Sequence, residues 1–329
     1  MMRLFLSFLV FALMPIVAFA RCEGTDLIAA LPAEQRTDLE ERASQTQFGE
    51  GLLWSAARGD TTITWFGTYH FAHPHTEAHL DTLKPLIEGA DAVYLEVSND
   101  DQARLETEIA SDPSIMFITE GPTLPDLLGE ADWQRYKSAM ADRAIPGFMA
   151  AKFKPMWAAI LLGVGPCEAR AGVMEEDGID KRIGDHAADI NNPSRSLEDY
   201  RTLLTMMDSF PQEDQLDMIR LFFVWTGDAD DMAYTLRQQY LNQKIAMIWE
   251  LSRMITLETG GETAEEDFTL MEELMLVRRN TAWVELLLDE AEGRNVFAAV
   301  GAAHLPGPDG VLHLLEKEGF TITPLPFDP

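Results

Sequence analysis

Basic residues are scarce in this sequence: 25 Lys and Arg stand against 55 Asp and Glu in 329 residues, a formal net charge of −30. That balance argues against binding to nucleic-acid phosphates, because such affinity rests on lysines and arginines that displace condensed counterions. It disfavours an anionic bilayer surface for the same reason. No Gly-x-Ser-x-Gly is present, so a serine-hydrolase elbow has no candidate. There is no glycine-rich phosphate loop and no His-Glu-x-x-His, residues 75–79 reading His-Thr-Glu-Ala-His. No repeat of 20–50 residues and no low-complexity segment occurs. Beyond residue 20 no apolar run reaches the ~20 residues that span a bilayer; the best, Met156 to Val164, reads as a core helix. Hydrophobic residues make up 47% of the chain, with ordinary glycine and proline. This composition is globular and excludes collagen-like, coiled-coil-only and disordered chains.

What is present begins at the N-terminus. Met1-Met2-Arg3, an apolar stretch from Leu4 to Met14, Pro15 and Ala18-Phe19-Ala20 have the layout of a Sec-type secretory signal peptide. Cleavage after Ala20 is expected, giving a periplasmic or secreted protein with no stable membrane insertion. A retained anchor is the alternative, with an apolar run shorter than a bilayer needs. In an oxidising compartment the two cysteines, Cys22 and Cys167, predict one disulfide; the alternative is a pair of unpaired thiols.

The hydrophobic pattern predicts one α/β domain over residues 21–329. Core strands fall in about 50–99 and 295–325, and a large helical region lies between them, at about 100–290. Residues 52–56 and 62–66 flank Arg58-Gly59-Asp60 and read as a hairpin. Thr76 to Glu88 reads as a helix, and Ala92 to Val97 as a short buried strand. Helical spacing then runs through Met232–Ile255 and Asp267–Glu290. Asn295 to Val300 is a strand, Pro308 to Glu318 a helix capped by Gly319, and Phe320 to Thr323 a last strand. The expected fold is a small mixed sheet made by the N- and C-terminal β/α segments, with a helical middle.

Two strands end alike. Ile63-Thr64-Trp65-Phe66-Gly67-x-x-His70 and Phe297-Ala298-Ala299-Val300-Gly301-x-x-His304 are each an apolar run, a glycine, two residues and a histidine. Glycine permits a sharp exit that aims the histidine back over the strand end. Functional groups of open α/β sheets lie beyond the carboxyl ends of the strands. If the strands are parallel neighbours, His70 and His304 meet there, with Glu96 from the end of a third strand. Two imidazoles and a carboxylate offer three metal ligands with room for water. The bland alternative is a set of hydrogen-bonded structural residues. His73, His75 and His79 read as a polar, solvated loop and first helical turn, with an extended metal site as the alternative. Arg278-Arg279-Asn280 reads either as a salt-bridged solvent face or as an anion clamp that reaches the site.

These residues resemble the TraB/GumN family, which includes the Tiki-type metalloproteases. The likeness rests on Phe66-Gly67-Thr68-Tyr69-His70, Leu95-Glu96-Val97, Gly178-Ile179-Asp180, Arg279-Asn280 and Val300-Gly301-Ala302-Ala303-His304-Leu305-x-Gly307-x-x-Gly310. The two cysteines also look like the family's. Arg278 departs from the pattern, since an acidic residue is commoner before Arg-Asn, and so do the extra histidines after His70. The resemblance implies an α/β core shared with erythromycin-esterase-like and ChaN-like proteins. It implies a divalent-metal-dependent hydrolase, a peptidase, using manganese, cobalt or zinc. His70, His304 and Glu96 would be ligands, Glu96 a ligand or general base, and Arg279 a catalytic residue. The competing expectations are a non-catalytic peptide- or ligand-binding regulatory protein and a haem- or metal-binding protein. The acidic surface, with Glu175-Glu176-Asp177 and Glu265-Glu266-Asp267, is expected to favour cationic or neutral peptides.

Overall fold

The computed structural model describes residues 22–329. The export signal expected over residues 1–20 lies outside them. Strands β1 (Leu53–Arg58), β2 (Thr61–Thr68), β3 (Ala92–Leu95), β4 (Arg195–Ser196), β5 (Asn295–Gly301) and β6 (Thr321–Pro324) form one mixed sheet. Their order is β4-β3-β5-β2-β1-β6. β1 and β2 make the expected antiparallel hairpin. β5 lies parallel to β2, with Gly67 opposite Val300 and Thr68 opposite Gly301. β3 lies parallel on the other side of β5, and β4 parallel beside β3. The carboxyl ends of β2, β5, β3 and β4 therefore share one sheet edge.

Both faces of the sheet are covered, which explains why β5 reads as a continuous apolar run and why Trp65 and Phe66 of β2 are both fully buried though they point to opposite sides. Trp65, Tyr94, Ala298 and Val300 project to one side and pack on Trp283 and Leu287 of the Arg278–Glu290 helix and on Leu312 and Leu315 of the Val311–Lys317 helix. Phe66, Val93, Leu95, Phe297 and Ala299 project to the other. They meet Leu83 and Ile87 of the Thr76–Glu88 helix, Ile179 and Ile183 of the Ile179–Asp189 helix, and Tyr240. A separate core within the helical region gathers Leu124, Tyr136, Met140, Leu161 and Ile219.

Three details differ from the sequence reading. β4 comes from the helical middle; at two residues it is too short to carry a period-2 pattern. The helical run over Met232–Ile255 is two helices, Ala229–Leu241 and Ile245–Thr259. They part at Gln243, whose φ is 60°. The break frees Gln243 to tie the helices to the sheet: its carbonyl accepts from Gly51 N–H at 2.8 Å and its Nε2 donates to the Phe327 carbonyl at 2.6 Å. Apolar periodicity continues across this joint, so it cannot reveal it. The run over Asp267–Glu290 also contains a π-helical turn at Glu273–Val277.

Cys22 and Cys167 form the expected disulfide across 145 residues. It fastens the N-terminal segment to the Pro166–Arg170 helix, where the Arg237 guanidinium also pairs with Glu168. Closing so long a loop restricts the unfolded chain, an effect worth roughly 2–4 kcal/mol. A Cys22→Ala/Cys167→Ala variant is therefore expected to unfold at clearly lower urea than the oxidised wild type. Coincident unfolding curves would show that the cross-link adds nothing.

Candidate functional site

The shared sheet edge brings His70, Glu96 and His304 together, as the two Gly-x-x-His blocks predict. It adds two carboxylates that the reading of single residues did not assign, Asp180 and Glu198. His70 leaves β2 two residues beyond Thr68. Its Nδ1 lies 3.3 Å from Asp180 Oδ2, while Thr68 Oγ1 donates to Asp180 Oδ1 at 2.6 Å. Asp180 stands in the first turn of the Ile179–Asp189 helix, reached through Gly178. A Cβ at Gly178 would lie 2.1 Å from the His70 carbonyl oxygen, so only glycine allows this approach.

Glu96 follows the last residue of β3 and projects in phase with Tyr94, toward the Arg278–Glu290 helix. That helix buries Arg279, Asn280, Trp283, Val284 and Leu287 along one face. This spacing settles which arginine faces the site. Arg278 is exposed and pairs outward with Glu273 at 2.9 Å. Arg279 is only 6% exposed and uses its whole donor set. Nε donates to both Glu198 oxygens at 3.1 and 3.0 Å. Nη2 donates to Glu96 Oε2 and to Glu198 Oε1, each at 2.6 Å. Nη1 lies 3.1 Å from the Met275 carbonyl and 3.2 Å from His304 Nε2. The guanidinium also lies 4.6 Å above the Trp283 ring, a cation–π contact.

His304 is held on both ring nitrogens. Nδ1 is 2.6 Å from Asn280 Oδ1, and Asn280 Nδ2 donates to the Asp309 carbonyl at 2.8 Å. That amide orientation assigns the proton of His304 to Nδ1 and leaves Nε2 to accept from Arg279. Burial lowers the pKa of His304 to about 3, with Arg279 and His70 also opposing its charge and Glu96 favouring it. For Glu96, burial works against ionisation. His304, His70, Arg279 and the Gly301 N–H, which donates to Oε1 at 2.7 Å, outweigh it and hold the carboxyl at about 2. For His70, loss of hydration opposes the charge, and Asp180 and Glu96 overcome it against the further opposition of Arg279, raising the pKa to about 9. Since its side chain is 60% exposed, water screens part of that attraction.

The donor chemistry of His70, Glu96 and His304 fits a borderline divalent ion. Gly301 keeps the space beside them free of a side chain: a Cβ there would lie 2.9 Å from His70 Nε2 and 3.3 Å from Glu96 Oε1. His304 Nε2 lies 3.7 Å from the same Glu96 oxygen. Three carboxylates, Glu96, Glu198 and Asp180, surround one guanidinium and two imidazoles, a surplus of negative charge that a cation would offset. Among the described residues, no group of three or more His, Cys, Asp or Glu side chains is placed so that it could hold a metal ion. The contact between His304 Nε2 and Arg279 would have to give way for His304 to serve as a ligand.

The three further histidines correct the sequence reading. Only His75 is exposed; His73 and His79 are buried, with ring centroids 4.8 Å apart, among Phe66, Tyr69, Tyr240 and Phe327. Position 79 falls on the inner stripe of its helix with Leu80, Leu83 and Ile87, which polarity alone obscured. His73 Nε2 and His79 Nδ1 have no hydrogen-bond partner. Burial, reinforced by neighbouring histidines, lowers the pKa of His73 to about 3 and of His79 to about 4.

The sequence model of the TraB/PrgY/gumN family matches residues 52–324, a span that contains every residue of this centre. No curated protein and no solved structure matches the chain.

Two outcomes follow from these environments. Removing Arg279 leaves Glu96 and Glu198 buried and unpaired, so Arg279→Met is expected to cost about 3–5 kcal/mol; a loss under about 1 kcal/mol in urea unfolding would mean that the pair is effectively solvated. His73 and His79 stay neutral in the fold but take up protons when unfolded below the ordinary value of 6.5. The unfolded state then binds more protons, so stability should fall as pH drops from about 6.5 toward 4. His79→Phe should flatten that slope, and an unaltered slope would assign the acid sensitivity elsewhere.

Proposed function

The chain belongs to the TraB/PrgY/gumN family, and from that premise we propose that it is an exported, metal-dependent hydrolase acting on peptide bonds. One observation carries the reading. His70 Nε2 and Glu96 Oε1 both face the bare backbone of Gly301, and His304 Nε2 stands 3.7 Å from that same oxygen. His70, Glu96 and His304 would hold manganese, cobalt or zinc. The chemistry supplied there is Lewis acidity, which polarises a carbonyl and activates water near neutral pH.

The protein's own groups divide the remaining work. Asp180 orients His70 through Nδ1 and leaves Nε2 toward Gly301, where it would have to give up its proton to serve as a ligand. Glu96 suits charge and ligation better than general-base work, because a carboxyl held at about 2 is a weak base at neutral pH. Arg279 fixes Glu96 and His304; with its donors engaged, a direct hold on a substrate oxyanion needs one of those contacts to open. His70, the exposed member, marks the side from which substrate would reach the centre. The acidic surface favours cationic or neutral peptides over acidic ones. Export is supported by the disulfide, which suits an oxidising compartment. No helix among the described residues is long and apolar enough to cross a membrane.

A second reading has its own support. Glu96 is 13% exposed, and His304 and Arg279 are buried, so this closed centre would also suit a protein that binds a peptide without cleaving it. The two readings separate on metal content and turnover. Purified protein is expected to carry about one equivalent of Mn, Co or Zn and to cleave basic peptides in a chelator-sensitive way. His70→Ala/His304→Ala should lose the metal and reduce kcat/KM by more than the ~100-fold that loss of an outer partner costs. Absence of both metal and metal-stimulated cleavage, or full activity in that variant, defeats the hydrolase reading. Saturable peptide binding that survives chelation and leaves the peptide intact would establish the second.

A further inference from the structure

We propose that Glu198 is a positioning residue of this centre: from the end of β4 it locks the Arg279 guanidinium in the one orientation that serves Glu96 and His304 together. The geometry stands by itself; its functional meaning rests on the hydrolase reading above.

The sheet places the two carboxylates side by side. The ladder between β3 and β4 continues past both strands, Leu197 N–H donating to the Leu95 carbonyl at 2.8 Å and Glu198 N–H to that of Glu96 at 3.3 Å. β4 is pinned in this register by Ser196 Oγ, which accepts from Ser98 N–H at 2.9 Å and donates to Asp101 Oδ2 at 2.5 Å. Glu198 and Glu96 therefore leave adjacent parallel strands toward the same guanidinium. The Glu198 side chain is 8% exposed, and its Oε2 also lies 3.3 Å from Trp283 Nε1.

Charge neutralisation alone does not account for Glu198. One carboxylate balances one guanidinium, and Glu96 already does so. A second buried carboxylate adds desolvation cost and repulsion. What Glu198 adds is direction. By taking Nε and one Nη2 proton together it fixes the plane of the guanidinium, as a fork-on-carboxylate contact does. With that plane fixed, the other Nη2 proton reaches Glu96 and Nη1 reaches His304. Without it, only the Met275 carbonyl and the Trp283 ring limit rotation about the Cδ–Nε bond, and the contacts to Glu96 and His304 are held less firmly. Outer partners of this kind alter metal affinity by ~10–100-fold when removed.

The test compares side-chain Nε–H exchange by NMR in the full-length chain, wild type against Glu198→Gln, with Arg279→Lys to assign the signal. Arg143 serves as an internal control. It is equally buried but bonded through Nε and Nη2 to the carbonyls of Val164 and Leu162 at 2.7 and 2.6 Å. Exchange at Arg279 is expected to quicken by at least about ten-fold, the equivalent of one charged hydrogen bond, while Arg143 is unchanged. Unchanged exchange at Arg279 overturns the proposal. If Glu198→Gln loosens Arg143 too, Glu198→Asp, which keeps the charge but withdraws the fork by one methylene, gives the deciding comparison by the same criterion. Titration of the same proteins with Zn²⁺ or Mn²⁺ supplies the functional arm: about ten-fold or greater weakening is expected. Equal affinity despite a loosened Arg279 overturns the positioning role. A wild type that binds neither ion defeats the metal reading, while the exchange comparison still decides Glu198.

Discussion

A single guanidinium closes the carboxyl edge of the sheet. Arg279 lies between Glu96 and Glu198, which issue from neighbouring parallel strands and could not share that edge without a cation between them. The same group reaches His304 and stacks on Trp283. One arginine thus connects the ends of β3, β4 and β5 to the helix that covers them. In a low-dielectric setting such a network is stable only while each member is satisfied. The rest of the edge is arranged around that condition: the Gly301 N–H completes Glu96, Asn280 completes His304, and Trp283 Nε1 faces Glu198.

The two sides of the sheet contribute differently. The helix carrying Arg279 and Asn280 holds His304, which is buried, and Glu96 and Glu198, which are nearly so. The helix carrying Asp180, on the opposite face, holds His70, which stays open to solvent. The centre therefore spans both layers at the carboxyl edge, with a fixed half and an accessible half. The two halves meet at the side-chain-free backbone of Gly301.

Much of this was legible in the sequence, for identifiable reasons. A strand buried on both faces leaves an uninterrupted apolar run, so β5 was visible; the turn at Gly59 marked β2, and a repeated Gly-x-x-His named the ends of both. The pairing of Cys22 with Cys167 followed from there being two cysteines. Other parts were hidden for equally definite reasons. β4 is set by a ladder to β3 rather than by a pattern of its own, and Glu198 was hidden with it. His73 and His79 are polar residues accommodated inside an aromatic cluster, against the usual cost of burying unpaired ring nitrogens. Arg279 could have been distinguished from Arg278 by its phase, since 279, 280, 283, 284 and 287 fall on one stripe while 278 does not.

The strand order has a consequence for assembly. β5 lies in the middle of the sheet but is the fifth strand along the chain, between β2 and β3, which are made more than 200 residues earlier. Until residues 295–301 emerge, those two early strands have no partner on their inner edges, and the sheet exists only as a hairpin and fragments. Contacts so distant in sequence form slowly. The nascent protein therefore cannot complete the two cores that flank the sheet until almost all of it has been synthesised, and a chain cut short before β5 would lack the strand that joins β2 to β3.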